Sequence, residues 1–155
     1  GDPEAGFSAA AHVAEGDWET AFVEHAYIEP EAGYALRRGD RIEIFACTQA
    51  PMMDRDEVAR VLGLETSDVL ILPSACGGGF GGKLDVSLQP LVAVAAWRMP
   101  GVAIRCAWNR IESMAASTKR HPATIAARAA CDAEGRLVAF AMEADFNTGA
   151  YASWG

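Results

Sequence analysis

The run Ala75-Cys76-Gly77-Gly78-Gly79-Phe80-Gly81-Gly82-Lys83 places five glycines in six positions, broken only by an aromatic residue. Glycine loses more backbone freedom on ordering than any other residue, so such a run either stays mobile or serves close backbone approach and positive φ. Upstream, Val69-Leu70-Ile71-Leu72 is a short aliphatic strand signal; downstream, residues 86–99 carry few charges and read as a buried helix. A strand, a glycine turn and a helix start would aim several N–H groups at one point, a cradle for an anion or a cofactor. The spacing matches neither G-x-G-x-x-G nor G-x-x-x-x-G-K-[ST], and Leu84 stands where the second pattern needs a hydroxyl. A phosphate cradle of the nucleotide-binding kind is therefore disfavoured. On local sequence, a cofactor contact, a structural turn without ligand and a mobile loop all stay open.

Working outward, residues 34–46 form the clearest hairpin signal, turning at Gly39-Asp40 and returning with Ile42, Ile44 and Ala46 on one face. Thr48-Gln49-Ala50-Pro51 follows, and a helix is expected from Pro51 to about Leu62, stopped by Gly63. Gln49 thus sits between a strand end and a helix start, where an amide can address a bound group or simply face solvent. Glu24-His25-Ala26-Tyr27-Ile28-Glu29-Pro30 lies on an expected strand over 18–28, which would put His25, Tyr27 and Glu29 on one face. Such a histidine could do acid/base work or be a packed, hydrogen-bonded side chain.

Beyond the glycines, Pro90 requires the helix to begin near 87–88 or to bend. A strand is expected over 102–107, and Asn109 with Glu112 makes a capping box for a short helix. Lys119-Arg120-His121-Pro122 is a basic knot, either an anion neutraliser or a solvated turn. Residues 123–131 and 137–146 read as a terminal hairpin, and residues 1–17, with a solvent-facing His12, as a linker-like lead-in in which residues 4–12 could wind a turn or two of helix. Strands and helices interleave without strict βαβ regularity, so the fold class expected is α+β, a mixed sheet with packed helices in a single domain spanning 1–155.

The 155 residues carry a net charge of −8, with 15 acidic and 5 basic side chains in residues 1–82 but 6 and 8 in residues 83–155. That balance excludes a general nucleic-acid surface, and no apolar run is long enough to span a bilayer. Cysteines at 47, 76, 106 and 131 lie too far apart for a zinc signature and, except for Cys76 beside the glycine run, read as buried singles in a reducing, cytoplasmic setting. The opening Gly1-Asp2-Pro3 and the apolar close at 151–155 suggest an excised piece of a larger subunit.

Seven landmarks in one order carry a resemblance: Glu24-His25 with Glu29-Pro30; Thr48-Gln49-Ala50-Pro51; Val58-Ala59 leading to Leu62-Gly63-Leu64; the glycine run through Lys83; Arg110-Ile111-Glu112-Ser113-Met114; Lys119-Arg120-His121-Pro122; and Asn147-Thr148-Gly149-Ala150-Tyr151. From Gly16 onward the chain resembles the first part of the molybdopterin-binding region of the xanthine dehydrogenase and aldehyde oxidoreductase family of molybdenum hydroxylases. The resemblance implies that Gln49 hydrogen-bonds an oxygen ligand on the molybdenum. It implies that Phe80 and Gly81 bring their backbone to the metal and pterin dithiolene, flanked by Gly79 and Gly82. His25 and Glu29 match a landmark that would order nearby loops.

For the intact enzyme the resemblance implies a molybdenum-molybdopterin cofactor, iron-sulfur clusters and FAD or another acceptor on other domains or subunits, and hydroxylation of a small molecule with water as oxygen source. Leu84 replaces the glutamate that purine-oxidising members place after the lysine, which points to an aldehyde or another N-heterocycle. The family's catalytic glutamate and further pterin loops have no match here, so no catalytic residue and no protein metal ligand is assigned, and Cys76 is not made one. The isolated chain is expected to be inactive, to hold no cofactor firmly and to self-associate. A non-catalytic structural or assembly module of the same fold is the alternative.

Overall fold

The structure is a computed structural model that describes residues 1–149; Ala150 and Tyr151 of the last landmark lie outside the described residues. In chain order the elements are α1 (Pro3–Ala9), β1 (His12–Thr20), β2 (Ala32–Arg38), β3 (Arg41–Ala46), α2 (Pro51–Leu62), β4 (Val69–Pro73), α3 (Gln89–Arg98), β5 (Ile104–Ala107), α4 (Arg110–Ala116), β6 (Ala123–Cys131) and β7 (Leu137–Phe146). They sort into two compact units, Gly1–Val23 with the described residues from His121 onward, and Glu24–Arg120. The fold is α+β with a mixed sheet, as the sequence suggests.

The second unit is built on a four-stranded sheet in the order β4-β3-β2-β5. β2 pairs antiparallel with β3 and β5, while β3 and β4 run parallel, with Ala46 opposite Pro73 at their ends. Parallel neighbours need a crossover connection, and α2 supplies it. The helix starts at Pro51, whose missing N–H costs nothing there, and ends at Gly63 in the left-handed region, φ 68°. Ile42, Ile44, Val58, Ala59, Val69, Leu88, Val92, Ala93 and Ala96 close the core between sheet and helices.

Helix α3 begins at Gln89 with Pro90 in its first turn, which resolves the proline conflict. Only its Val92, Ala93 and Ala96 side is buried, while Leu91 and Val94 are exposed. The capping box of α4 forms, with the Asn109 side chain accepting from Glu112 N–H and Glu112 accepting from Asn109 N–H.

In the first unit β6 lies between β1 and β7, both antiparallel to it. The lead-in is corrected in part: the short helix forms as residues 3–9, capped by Asp2 and started by Pro3, but residues 12–20 are strand β1 and not linker. β1 has no buried residue, so it lacks the alternation that marks a strand in sequence, and it is defined by its ladder to residues 123–131. The expected strand over 18–28 is likewise corrected. Its second half is irregular, because Ala26 takes φ 55° and its N–H is drawn to the Glu24 carboxylate.

A polar residue is sealed beside the core of the second unit. Asp54, in the first turn of α2, has no exposed surface. Burial pushes its carboxyl up to about 6, with the neighbouring Thr48 hydroxyl and the Gln89 amide acting the other way. The folded chain therefore holds this proton more tightly than the unfolded chain, and the group's contribution to stability is largest below pH 3.8 and is lost as pH rises through about 6. Across that window the loss is about 3 kcal/mol. Asp54→Asn, which cannot ionise, should gain on the wild type by about this amount between pH 4 and pH 7, read by urea unfolding at each pH.

Candidate cofactor site

Because β3 and β4 are adjacent and parallel, their carboxyl ends open on the same side of the sheet. The segment after β3 carries Thr48 and Gln49, and the segment after β4 carries the glycine run. Open sheets bind ligands at such strand ends. The Gln49 backbone N–H donates to the Lys83 carbonyl at 3.0 Å. Its side-chain Oε1 accepts from Gly81 N–H and from Lys83 N–H, each at 3.2 Å.

Two converging donors fix the amide: the oxygen must face the loop, and Nε2 must point away from it. Gln49 is exposed, and both Nε2 hydrogens are without an intrachain partner among the described residues. The glycine run thus turns a surface glutamine into a fixed hydrogen-bond donor.

Close approach and backbone conformation both require the missing side chains. A Cβ on Gly79 would lie 2.3 Å from Gln49 Oε1, and Gly81 takes φ 89°. Between them Phe80 is held at φ 52° and is 69% exposed. A bulky residue in the left-handed region costs about 1–2 kcal/mol. The turn closed by Gly82 N–H on the Gly79 carbonyl at 2.7 Å, together with the Gln49 bonds, holds it there.

All five residues expected to meet a cofactor, Gln49, Gly79, Phe80, Gly81 and Gly82, are therefore in one place. The expected helix start is not, since α3 begins only at Gln89. The convergent N–H groups come from the loop itself, and they are aimed at Gln49 instead of at an open anion cradle.

The far side of the loop is held by charge. Lys83 is 3% exposed, and its Nζ donates to the Glu29 carbonyl at 2.8 Å and to Glu29 Oε2 at 2.9 Å, 4.5 Å from the centre of the Tyr27 ring. Glu29 Oε2 also accepts from Gly77 N–H at 2.8 Å, so one carboxylate ties the start of the run to its end. Burial alone would raise the Glu29 carboxyl; the Gly77 N–H and Lys83 outweigh it and hold the group below the usual glutamate range. A lysine committed in this way is no phosphate ligand.

His25 flanks the same turn, with Nδ1 2.7 Å from where a Gly82 Cβ would stand. Burial lowers its pKa, Arg120 and Lys119 lower it further and Glu24 opposes them, a balance that favours the neutral imidazole. Thr118, just ahead of the basic knot, donates to the Gly82 carbonyl at 3.0 Å.

Sequence reasoning left Lys83 and Glu29 without a chemical role. The signal available was a lone lysine closing a glycine run and a glutamate directly before Pro30, with no lysine or arginine at helical or hairpin spacing from that glutamate. Cys76 is exposed with its Sγ 3.3 Å from the Gly78 carbonyl, and no cluster of three or more His, Cys, Asp or Glu residues able to hold a metal is present among the described residues.

Lys83→Met leaves Glu29 half-buried without its counter-charge and should lower stability by about 2–3 kcal/mol. The loss should persist at high salt, because a buried pair is poorly screened. It should shrink in acid, since a depressed glutamate contributes above its ordinary value of 4.5 and loses that contribution as it protonates. Urea unfolding at two salt concentrations and two pH values reads all three.

The model of the molybdopterin cofactor-binding domain matches residues 1–155. The nicotinate dehydrogenase large molybdopterin subunit of Eubacterium barkeri is 39% identical over all of this chain and 36% of its own length. The xanthine dehydrogenase of Calliphora vicina is 38% identical over 96% of this chain and 11% of its own. Among solved structures, the aldehyde oxidoreductase of Desulfovibrio desulfuricans ATCC 27774 superposes with a TM-score of 0.69 at 30% identity, over 94% of this chain and 16% of that one. The chain thus spans about a third or less of the relatives it matches. It belongs to the molybdopterin cofactor-binding domain family of the xanthine dehydrogenase and aldehyde oxidoreductase enzymes.

Proposed function

We propose that this chain is one part of the cofactor-binding domain of a molybdenum hydroxylase, and that it contributes the Gln49 and glycine-loop contacts to a molybdenum-molybdopterin group. The observation that carries the reading is the Gln49 amide, whose oxygen is spent on two loop N–H groups and whose two donors are left over. The residues fit such a group. They offer an oriented donor, a backbone stripped of side chains and a strained, exposed aromatic beside it.

When bound, the cofactor supplies two-electron oxidation of a small molecule with water as oxygen source. Gln49 donates to its electron-rich groups, and a charge-assisted bond of this kind contributes about 1–3 kcal/mol. Gly79 and Gly82 keep the loop surface low enough for backbone approach, and Phe80 presents an apolar ring to what lies outside. The Glu29–Lys83 pair holds the loop in that shape without placing charge at its surface.

The rest of the activity belongs to the remainder of the molybdenum subunit and to iron-sulfur and flavin partners, none of which this chain supplies. An aldehyde or an N-heterocycle is the proposed substrate class, on the strength of Leu84 after the lysine, and the cytoplasm the proposed compartment. The isolated chain is proposed to turn nothing over, since no general base is assigned in it.

In the intact parent, Gln49→Ala should keep molybdenum and pterin within about twofold while kcat falls roughly 10- to 100-fold, the range one charge-assisted bond spans. Gly79→Ala should instead lower cofactor content, because its methyl displaces the Gln49 side chain. Metal analysis, pterin fluorescence and turnover of benzaldehyde and nicotinate with a dye acceptor check both. An intact parent without molybdenum, expressed beside its maturation partners, would identify the chain as a structural module.

A further inference from the structure

Asp54 is buried completely, yet a leucine would fill a sealed helix position without the cost of desolvating a carboxylate. Its contacts lead to the cofactor site from two directions. On one side the Thr48 hydroxyl neighbours the Asp54 carboxyl and accepts Ala50 N–H at 3.0 Å. The Ala50 carbonyl accepts Asp54's own N–H at 3.0 Å. Ala50, directly after Gln49, is therefore tied to the backbone of Asp54, and Thr48, directly before it, lies beside the carboxyl.

On the other side the Gln89 side chain, 1% exposed, donates to Asp54 Oδ2 at 3.1 Å. Gln89 Oε1 accepts the N–H of Ser87 at 2.8 Å and its hydroxyl at 3.3 Å. Ser87 belongs to the segment by which the chain leaves the glycine run. One carboxylate therefore links the backbone that carries Gln49 to the backbone that carries the loop Gln49 is bound to.

We infer that Asp54 is a positioning residue: by holding Thr48-Gln49-Ala50 against the exit of the glycine loop through Gln89 and Ser87, it fixes where the Gln49 amide donors sit. The inference rests on the reading that Gln49 addresses the cofactor. Asp54 touches no reacting group and acts only through Gln49, so its effect must vanish when the Gln49 amide is absent. A purely structural carboxylate would give losses that add to those of Gln49.

The test uses the intact, cofactor-loaded parent with Asp54→Leu, Asp54→Asn, Thr48→Val, Gln49→Ala and the Asp54→Leu/Gln49→Ala double variant. Molybdenum content, kcat and KM for benzaldehyde and nicotinate, and the molybdenum(V) EPR signal of the partly reduced enzyme are measured. Asp54→Leu should lower kcat about 5- to 10-fold with KM within twofold and shift the EPR signal, and Asp54→Asn should recover most of both. In the Gln49→Ala background the same Asp54→Leu change should alter kcat by less than twofold and leave the signal where Gln49→Ala put it.

If Asp54→Leu does not fold, Thr48→Val, which deletes one hydroxyl, is held to the same kcat and EPR criteria. Wild-type kcat and signal in these variants beside an impaired Gln49→Ala enzyme overturn the inference alone, as does an equal loss in both backgrounds. Wild-type kcat and signal in Gln49→Ala itself overturn the cofactor reading beneath it.

Discussion

The site depends on two backbone N–H groups, those of Gly81 and Lys83, meeting one side-chain oxygen, Gln49 Oε1. A glutamine on a surface loop has three rotatable bonds and an amide that can face either way. Two donors held rigidly by one turn remove that ambiguity, because only the oxygen can accept from them. The same contact forbids a side chain at Gly79 and makes the Gly79-to-Gly82 turn tight enough to hold Phe80 in a backbone region it would otherwise avoid. The constraint passes outward from there to the parallel pairing of β3 and β4, without which the two segments would not end side by side.

Behind this contact the loop is closed by electrostatics and not by apolar packing. A glycine run has little surface to bury, so the usual area-based stabilisation is small. Glu29 compensates by binding the run at both ends, through Gly77 N–H and Lys83 Nζ. The lysine also lies over the Tyr27 ring and so replaces some of the hydration it loses on burial. The result is a loop whose tip presents neutral backbone and one phenyl ring. That suits close approach of a large cofactor better than a charged cradle would.

Much of the fold was legible because its determinants are local. The Gly39-Asp40 turn, the Pro51 and Gly63 limits of α2, the Asn109–Glu112 box and the two terminal strands all carry their own signals within a few residues. β1 was not legible. It exposes both faces, and only its pairing with a segment more than a hundred residues away makes it a strand. The irregular course of 22–30 was hidden for a related reason: its shape is set by Glu24, Glu29 and Arg110 bonding to backbone groups, and the hydrophobic pattern says nothing of such bonds. In the site, the glycines and Gln49 stood out by composition and junction, whereas the roles of Lys83 and Asp54 follow from contacts across 54 and 35 residues of sequence.

The central claim is that Gln49 acts as a donor whose orientation the glycine loop sets. Gln49→Glu in the intact parent separates the two halves of that claim, since a carboxylate keeps the acceptor for Gly81 and Lys83 but has no N–H to give. The account predicts an enzyme that melts near the wild-type temperature and retains molybdenum and pterin, yet turns over at least about tenfold more slowly. Wild-type turnover with full cofactor would contradict it, because the amide hydrogens would then have no part in the reaction.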